Sequence, residues 1–265
     1  MNTPAPTYIR QDAAGKWLRR TPKPAARIKL FCLPHAGGTA NFFRDWPELL
    51  PPSVEMTAVQ YPGREDRLDD LPLTEMSALA EALTDVLAPQ LRQPYALFGH
   101  SMGAAVAHET AKRIQRRGLR LPERLFVSGR ESPQMHQRGT IHTQDDDSLC
   151  AELTRLGGGE VLTRHPELRP LVLPAVRADY QLIETYEPDL SEVLRCPVTA
   201  LVGTEDPDVQ RADAEGWGDL SEGFNRVQFP GDHFYLVPER RQVIGEIVRA
   251  LTLDPSPTSS WPVTP

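Results

Sequence analysis

The sequence predicts an α/β fold: a mostly parallel central sheet with helices on both faces and a helical lid insertion in one connection. Three observations lead there. Short, nearly all-apolar β-prone runs alternate with amphipathic helical stretches, as expected of strands covered on both faces by crossover helices. A serine stands between two glycines in "LFGHSMGAAVAHE" (97–109), where an apolar run gives way to a helical one. One connection, residues 130–195, far exceeds the dozen or so residues that a crossover needs.

The strand runs are "IKLFCL" (28–33), "EMTAVQY" (55–61), "YALFG" (95–99), "RLFVSG" (124–129), "VTALVG" (198–203) and "RVQFP" (226–230). Helical patterns fall at 74–92, with Met76, Leu79, Leu83, Val86 and Leu87 on one stripe, at 102–117, and at 239–251. Inside the long connection, "DDDS" (145–148) supplies acids suited to a helix N-terminus, and Gly157, Gly158 and Gly159 break the pattern. A second helical stretch follows, carrying Leu168, Leu171, Val172, Val176, Tyr180, Leu182, Ile183 and Tyr186. This insertion is expected to cap a substrate pocket and to bend at the triple glycine. Residues 1–25 and the tail 254–265, "DPSPTSSWPVTP", are rich in Pro, Thr and Ser without apolar period and are expected to be flexible. That leaves 26–253 as one domain, and 265 residues at 40% hydrophobic content can fill its core.

A formal charge of −7 speaks against a general nucleic-acid binder, which would concentrate basic residues on one face. No run approaches the roughly 20 apolar residues of a membrane span, and the N-terminus lacks a basic-then-apolar leader. A cytoplasmic location is expected. Cys32, Cys150 and Cys196 are odd in number and widely spaced, which fits buried free thiols better than a disulfide framework or a metal knuckle. No cluster has metal-ligand spacing.

Gly99-His100-Ser101-Met102-Gly103 matches G-x-S-x-G, in which a tight strand-to-helix turn strains the serine and the glycines relieve collisions with neighbouring backbone. A hydroxyl reacts only with a base, an orienting acid and an anion-stabilising pocket. Asp206, in the turn after the "VTALVG" strand, is chosen as the acid; Asp208 and Glu205 in the same turn stay open as alternatives. His233, after the last strand and a Pro-Gly turn, is chosen as the base over His35, His100, His108, His136, His142 and His165. The last three are expected on solvated surface. The order Ser101, Asp206, His233 is that of α/β-hydrolases. For the oxyanion hole, the backbone N–H of Met102 follows the nucleophile, and "LPHAGG" after the first strand run offers Ala36 N–H as the second donor. His35 is expected to brace that loop by a hydrogen bond.

With "LPHAGGTA", "QYPGRED", "GHSMGA", "GTEDPDV" and "GDHFYL" in this order, residues 28–251 resemble the stand-alone type II thioesterases that accompany polyketide synthases and non-ribosomal peptide synthetases, in the α/β-hydrolase superfamily. Asp232 departs from the pattern, where many relatives would carry Gly. The resemblance implies a hydrolase for editing or release in secondary-metabolite and antibiotic biosynthesis. Its substrates would be acyl groups held as thioesters on the phosphopantetheine arm of an acyl carrier protein or peptidyl carrier protein, with no cofactor of its own. A monomer is expected. Arg116, Arg117, Arg120 and Arg124 are candidates for a basic carrier-docking patch. A small-ester or acyl-CoA esterase and a non-catalytic synthase-binding partner are the competing readings.

Overall fold

The computed structural model describes residues 13–253. Seven strands form one sheet among the described residues: β1 (Leu18–Thr21), β2 (Ile28–Leu33), β3 (Val54–Val59), β4 (Tyr95–His100), β5 (Arg124–Ser128), β6 (Val198–Gly203) and β7 (Phe224–Phe229). Their order is β1-β3-β2-β4-β5-β6-β7. β1 runs antiparallel to β3, and the other neighbours are parallel. β3, β4, β5 and β6 are buried along their whole length, which explains why β4, β5 and β6 read as mainly apolar runs, while β3 alternates its buried Glu55 and Thr57 with apolar residues.

The helices are α1 (Trp46–Leu49), α2 (Met76–Leu87), α3 (Met102–Arg116), α4 (Asp146–Arg155), α5 (Glu160–Arg164), α6 (Arg169–Glu184), α7 (Arg211–Glu215) and α8 (Arg240–Leu253). One core lies between the sheet and α2 and α3, built around residues such as Phe31, Leu83, Leu97, Val106 and Trp217. A second packs Phe43, Trp46, Phe98, Phe126, Tyr235 and Ile247 on the opposite face. The insertion has a small core of its own, Leu149, Cys150, Leu162, Leu173, Val176 and Tyr180. Its C-terminal part, Leu182, Ile183 and Tyr186, joins the main core instead. α4 is opened as its sequence implies, with the Asp145 carboxylate accepting a hydrogen bond from Ser148 N at 2.8 Å.

The N-terminal expectation needs correction. Within the segment 1–25 expected to be flexible, residues 18–21 form strand β1, registered Leu18 with Val59 through Thr21 with Met56. "LRRT" has no apolar alternation because this edge strand is held by ladder hydrogen bonds and by charge: Arg19 pairs with Asp66 and Arg20 with Glu55. Leu171, assigned to the apolar stripe of the insertion, is exposed. The tail 254–265 lies outside the described residues. All three cysteines are free and buried, and burial pushes Cys196 up to about 12.

Candidate active site

Parallel strands place their carboxyl ends on one edge of the sheet, and ligands bind where strand order reverses. The chain crosses from β2 out to β3 and back to β4, so the turns after β2 and β4 meet at that reversal. Ser101 occupies the turn between β4 and α3 with φ 55° and ψ −121°, a strained conformation for a residue with a side chain. Its N–H donates to Ser128 O at 2.8 Å, which fixes the turn to β5. A Cβ on Gly99 would stand 2.1 Å from Gly103 O, and one on Gly103 would stand 2.3 Å from Leu33 O. Both glycines are therefore required by contact with backbone, which cannot yield.

The structure separates the candidate acids. Asp206 is buried, and its Oδ2 lies 2.8 Å from His233 Nδ1. Its Oδ1 accepts a hydrogen bond from Asp208 N at 3.0 Å. Asp208 turns its carboxylate outward to a two-pronged pair with Arg155 of α4, at 2.7 and 2.9 Å. Glu205 is exposed. His233 is buried and its Nε2 has no hydrogen-bond partner. Ser101 and His233 line the same cavity of about 380 Å³, together with Ala36 and Met102.

The other histidines are placed differently. His100 is buried 5.1 Å from His233, ring centre to ring centre, but its Nδ1 is 3.0 Å from Ser128 Oγ, itself 2.6 Å from the Tyr235 hydroxyl. Burial, and then the neighbouring His233 and His35, hold His100 well below the ordinary imidazole range. Burial, with His233 and Arg64 nearby, pushes His35 down to about 3. His35 braces its loop through its carbonyl, which accepts from Gly38 N at 2.9 Å, while its ring Nδ1 has no partner and the ring is wedged edgewise between Phe42 and Phe234, with centroids 4.7 and 4.8 Å away. His108 is buried against Trp217, and burial lowers it to about 4. His136, expected on the surface, instead lines the cavity with Nδ1 2.7 Å from an Arg130 nitrogen, and His142 is bound to Glu184 at 2.5 Å. His165 is exposed as expected.

Met102 is the first residue of α3, where an N–H has no partner within the helix. Ala36 stands in the turn after β2, packed against the insertion. That turn shows a group missed in the sequence: Gly37 N donates to Asp179 Oδ2 of α6 at 2.7 Å, and Arg64 from the "YPGRE" stretch binds both Asp179 oxygens at 2.6 and 2.8 Å. Asp179 interrupts an otherwise apolar stripe formed by Val172, Val176, Ile183 and Tyr186, and a carboxylate there is the signal that a buried partner must exist.

The arginines of the candidate basic patch lie away from the serine and are paired within the chain. α3 rises roughly 1.5 Å per residue, so Arg116 and Arg117 lie on the order of 20 Å from Ser101, at the far end of the helix. Arg116 pairs with Asp189 and Glu192, Arg117 with Glu81 and Asp85, and Arg120 with Glu123, while Arg124 donates to Thr199.

The sheet, the strained serine at the strand-to-helix turn and the following cap define a protein of the α/β-hydrolase fold. Residues 28–251 match the thioesterase-domain family, and the chain belongs to it. It is 42% identical over 239 residues to thioesterase PikA5 of Streptomyces venezuelae, covering 88% of this chain and 85% of that one. It is 38% identical over 253 residues to a probable cadicidin biosynthesis thioesterase of Streptomyces griseus, covering 94% and 70%. Among solved structures, the type II thioesterase BorB of the borrelidin biosynthetic cluster superposes with a TM-score of 0.82 at 42% identity, over 89% of this chain and 97% of that one. The thioesterase RedJ of the prodiginine pathway in Streptomyces coelicolor gives 0.81 at 36%, over 86% and 88%. The resemblance read from the motifs is borne out. Among the described residues, no helix is long and apolar enough to cross a membrane.

Proposed function

We propose that this thioesterase frees acyl groups from the phosphopantetheine arm of acyl or peptidyl carrier proteins, as an editing or release step in secondary-metabolite assembly. It would act in the cytoplasm, as a monomer and without a cofactor of its own; the phosphopantetheine belongs to the substrate. One observation carries the chemistry: His233 holds a carboxylate at Nδ1 and keeps Nε2 unpartnered in a cavity that also contains the strained Ser101.

In this reading, Asp206 fixes the His233 tautomer with the proton on Nδ1 and stabilises the imidazolium that forms in the reaction. Ser101 Oγ attacks the thioester carbonyl while His233 Nε2 takes its proton. The negative charge that develops on the carbonyl oxygen is met by the N–H groups of Ala36 and Met102. Collapse breaks the C–S bond, and the thiol departs with the proton from His233. A thiol, with a pKa of about 8.5, leaves far more readily than an amine. Water, deprotonated by His233, then cleaves the acyl-serine and restores the hydroxyl.

The acyl chain would lie against Leu153, Leu156, Leu162, Val172, Val176 and Ile183, which line the cavity from the insertion. An apolar wall discriminates by only about 1–3 kcal/mol per methylene, so selectivity among chain lengths is modest.

Specificity constants for an acylated carrier protein, the matching free thioester and an oxygen ester test the reading. The acyl-carrier is expected to be the best substrate, and Ser101→Ala is expected to abolish turnover of all three. Equal or better use of the oxygen ester would replace the carrier reading with that of a small-ester esterase.

A further inference from the structure

The insertion reaches into the turn that holds the Ala36 N–H. Asp179 on α6 is 2% exposed and Arg64 6%. Asp179 Oδ2 accepts from Gly37 N at 2.7 Å and from Arg64 Nη1 at 2.6 Å, and Oδ1 accepts from Arg64 Nη2 at 2.8 Å. Arg64 Nη1 also donates to Gly38 O at 3.1 Å, and Gly38 N donates to His35 O at 2.9 Å.

We propose that Asp179, braced by Arg64, is a positioning residue for the oxyanion hole, so that the insertion helix as well as the sheet builds the site of charge stabilisation. The inference rests on Ala36 and Met102 being the oxyanion donors. A peptide unit is planar, with its N–H and C=O on opposite sides. Holding Gly37 N–H on Asp179 therefore turns the Ala36 carbonyl the other way and fixes the plane that follows the Ala36 N–H. The Gly38 carbonyl, held by Arg64, fixes the far side of the turn. Without the Asp179 acceptor the Ala36–Gly37 peptide is free to rotate. The Ala36 N–H then loses its aim, because a donor stabilises an oxyanion only when it is oriented before the charge forms.

A buried ion pair alone is a weak reason for stability, since apolar replacements of similar volume are often as stable. That fact supplies the test. The double variants Arg64→Met/Asp179→Leu and Arg64→Met/Asp179→Asn both remove the ion pair without leaving a buried charge, but only the second keeps an oxygen for Gly37 N–H. Both are to be assayed alongside the wild-type chain on acyl-carrier and free thioester, with kcat expressed per Ser101 titrated in the acylation burst and with thermal melting in parallel.

The Leu double variant is expected to lose at least about tenfold in kcat with KM within about twofold, and the Asn double variant to recover to within about threefold of wild type. Removing an oxyanion donor outright typically costs 10²–10³-fold, so a misaimed donor falls below that ceiling. Equal kcat per titrated Ser101 in the two double variants, or a loss confined to KM, overturns the proposal. If even the wild-type chain fails to turn over both thioesters, the hydrolase reading itself is lost, and the two failures are thereby distinguished.

Discussion

The insertion is attached to the body of the protein in two unlike ways. α6 is welded: Leu182 and Ile183 at its C-terminal end, with Tyr186 just past it, join the main core beside α2 and α3, and Asp179 forms a buried pair with Arg64. α4 and α5 contribute Leu149, Cys150 and Leu162 only to the insertion's small core. One ionic link from them to the catalytic side is the Arg155–Asp208 pair, whose side chains are 44% and 39% exposed. The same type of interaction is thus used at two depths. In a water-poor site it is costly to break, and at the surface it is close to neutral. The weaker attachment is thus that of α4 and α5, while α6 is tied to the turn after β2 through Asp179.

The contrast is broken most severely at the weld. Asp179→Ala leaves the Arg64 charge buried without its partner and is expected to destabilise the fold by about 3–5 kcal/mol in denaturant unfolding. A loss below about 1 kcal/mol would mean that water reaches Arg64 and that the weld is no deeper than the Arg155–Asp208 latch.

Acid attacks the body by a second route. Burial lowers His35 to about 3 and His108 to about 4, and it holds His100 well below its ordinary value. In the unfolded chain these groups bind protons near pH 6.5, whereas in the folded chain they resist until well below that. Their contribution to stability is thus complete above about pH 6.5 and is lost as pH falls toward the folded values, by about 1.4 kcal/mol per pH unit for each group. Melting temperature is expected to fall steadily from pH 6.5 to 4.5. His108→Leu, which is remote from the cavity, should flatten that decline; an unchanged slope would remove His108 from the account.

What the sequence reveals follows the range of the forces involved. β2 and β6 are legible to the residue, because β6 is buried throughout and β2 from Leu30 onward, so that nearly every position carries the signal. β1 is not, because an edge strand written Leu-Arg-Arg-Thr is held by partners such as Glu55 and Asp66 that only the fold brings near. Ser101 is legible from local crowding at Gly99 and Gly103. Asp206 and Asp208 share one turn and one chemistry, and only the direction of each carboxylate separates them: one toward His233, the other toward Arg155. Arg64 and Asp179 meet across 115 positions, so the sequence shows a charge in an apolar stripe but not its partner.

Between weld and latch lies the triple glycine, which sharpens the comparison at intermediate cost. Gly157 has φ +92°, and a Cβ there would stand 2.9 Å from Asp232 Oδ2, beside His233. Gly157→Ala is expected to cost about 1–2 kcal/mol through backbone strain, and to push α4 and α5 away from the His233 loop. Protection of α4 amides in hydrogen exchange should drop while that of α6 is retained. Equal loss in both helices would show that the cap moves as one body.

The smallest effect is expected at the latch. Arg155→Ala removes a pair that is more than a third exposed on both sides, so unfolding should change by less than about 1 kcal/mol. Its action should be felt instead in substrate entry, because Asp208 lines the cavity and its backbone N–H holds Asp206. Salt gives the decisive control. At 1 M ionic strength the screening length is about 3 Å, enough to weaken an exposed pair while leaving a buried one largely intact. High salt should shift kcat/KM of the wild-type enzyme for a free, uncharged thioester toward that of Arg155→Ala, and it should leave the variant unmoved. A variant that responds to salt as strongly as wild type would place the salt-sensitive contact elsewhere, and the division between a fixed α6 and a movable α4 and α5 would then have to rest on packing alone.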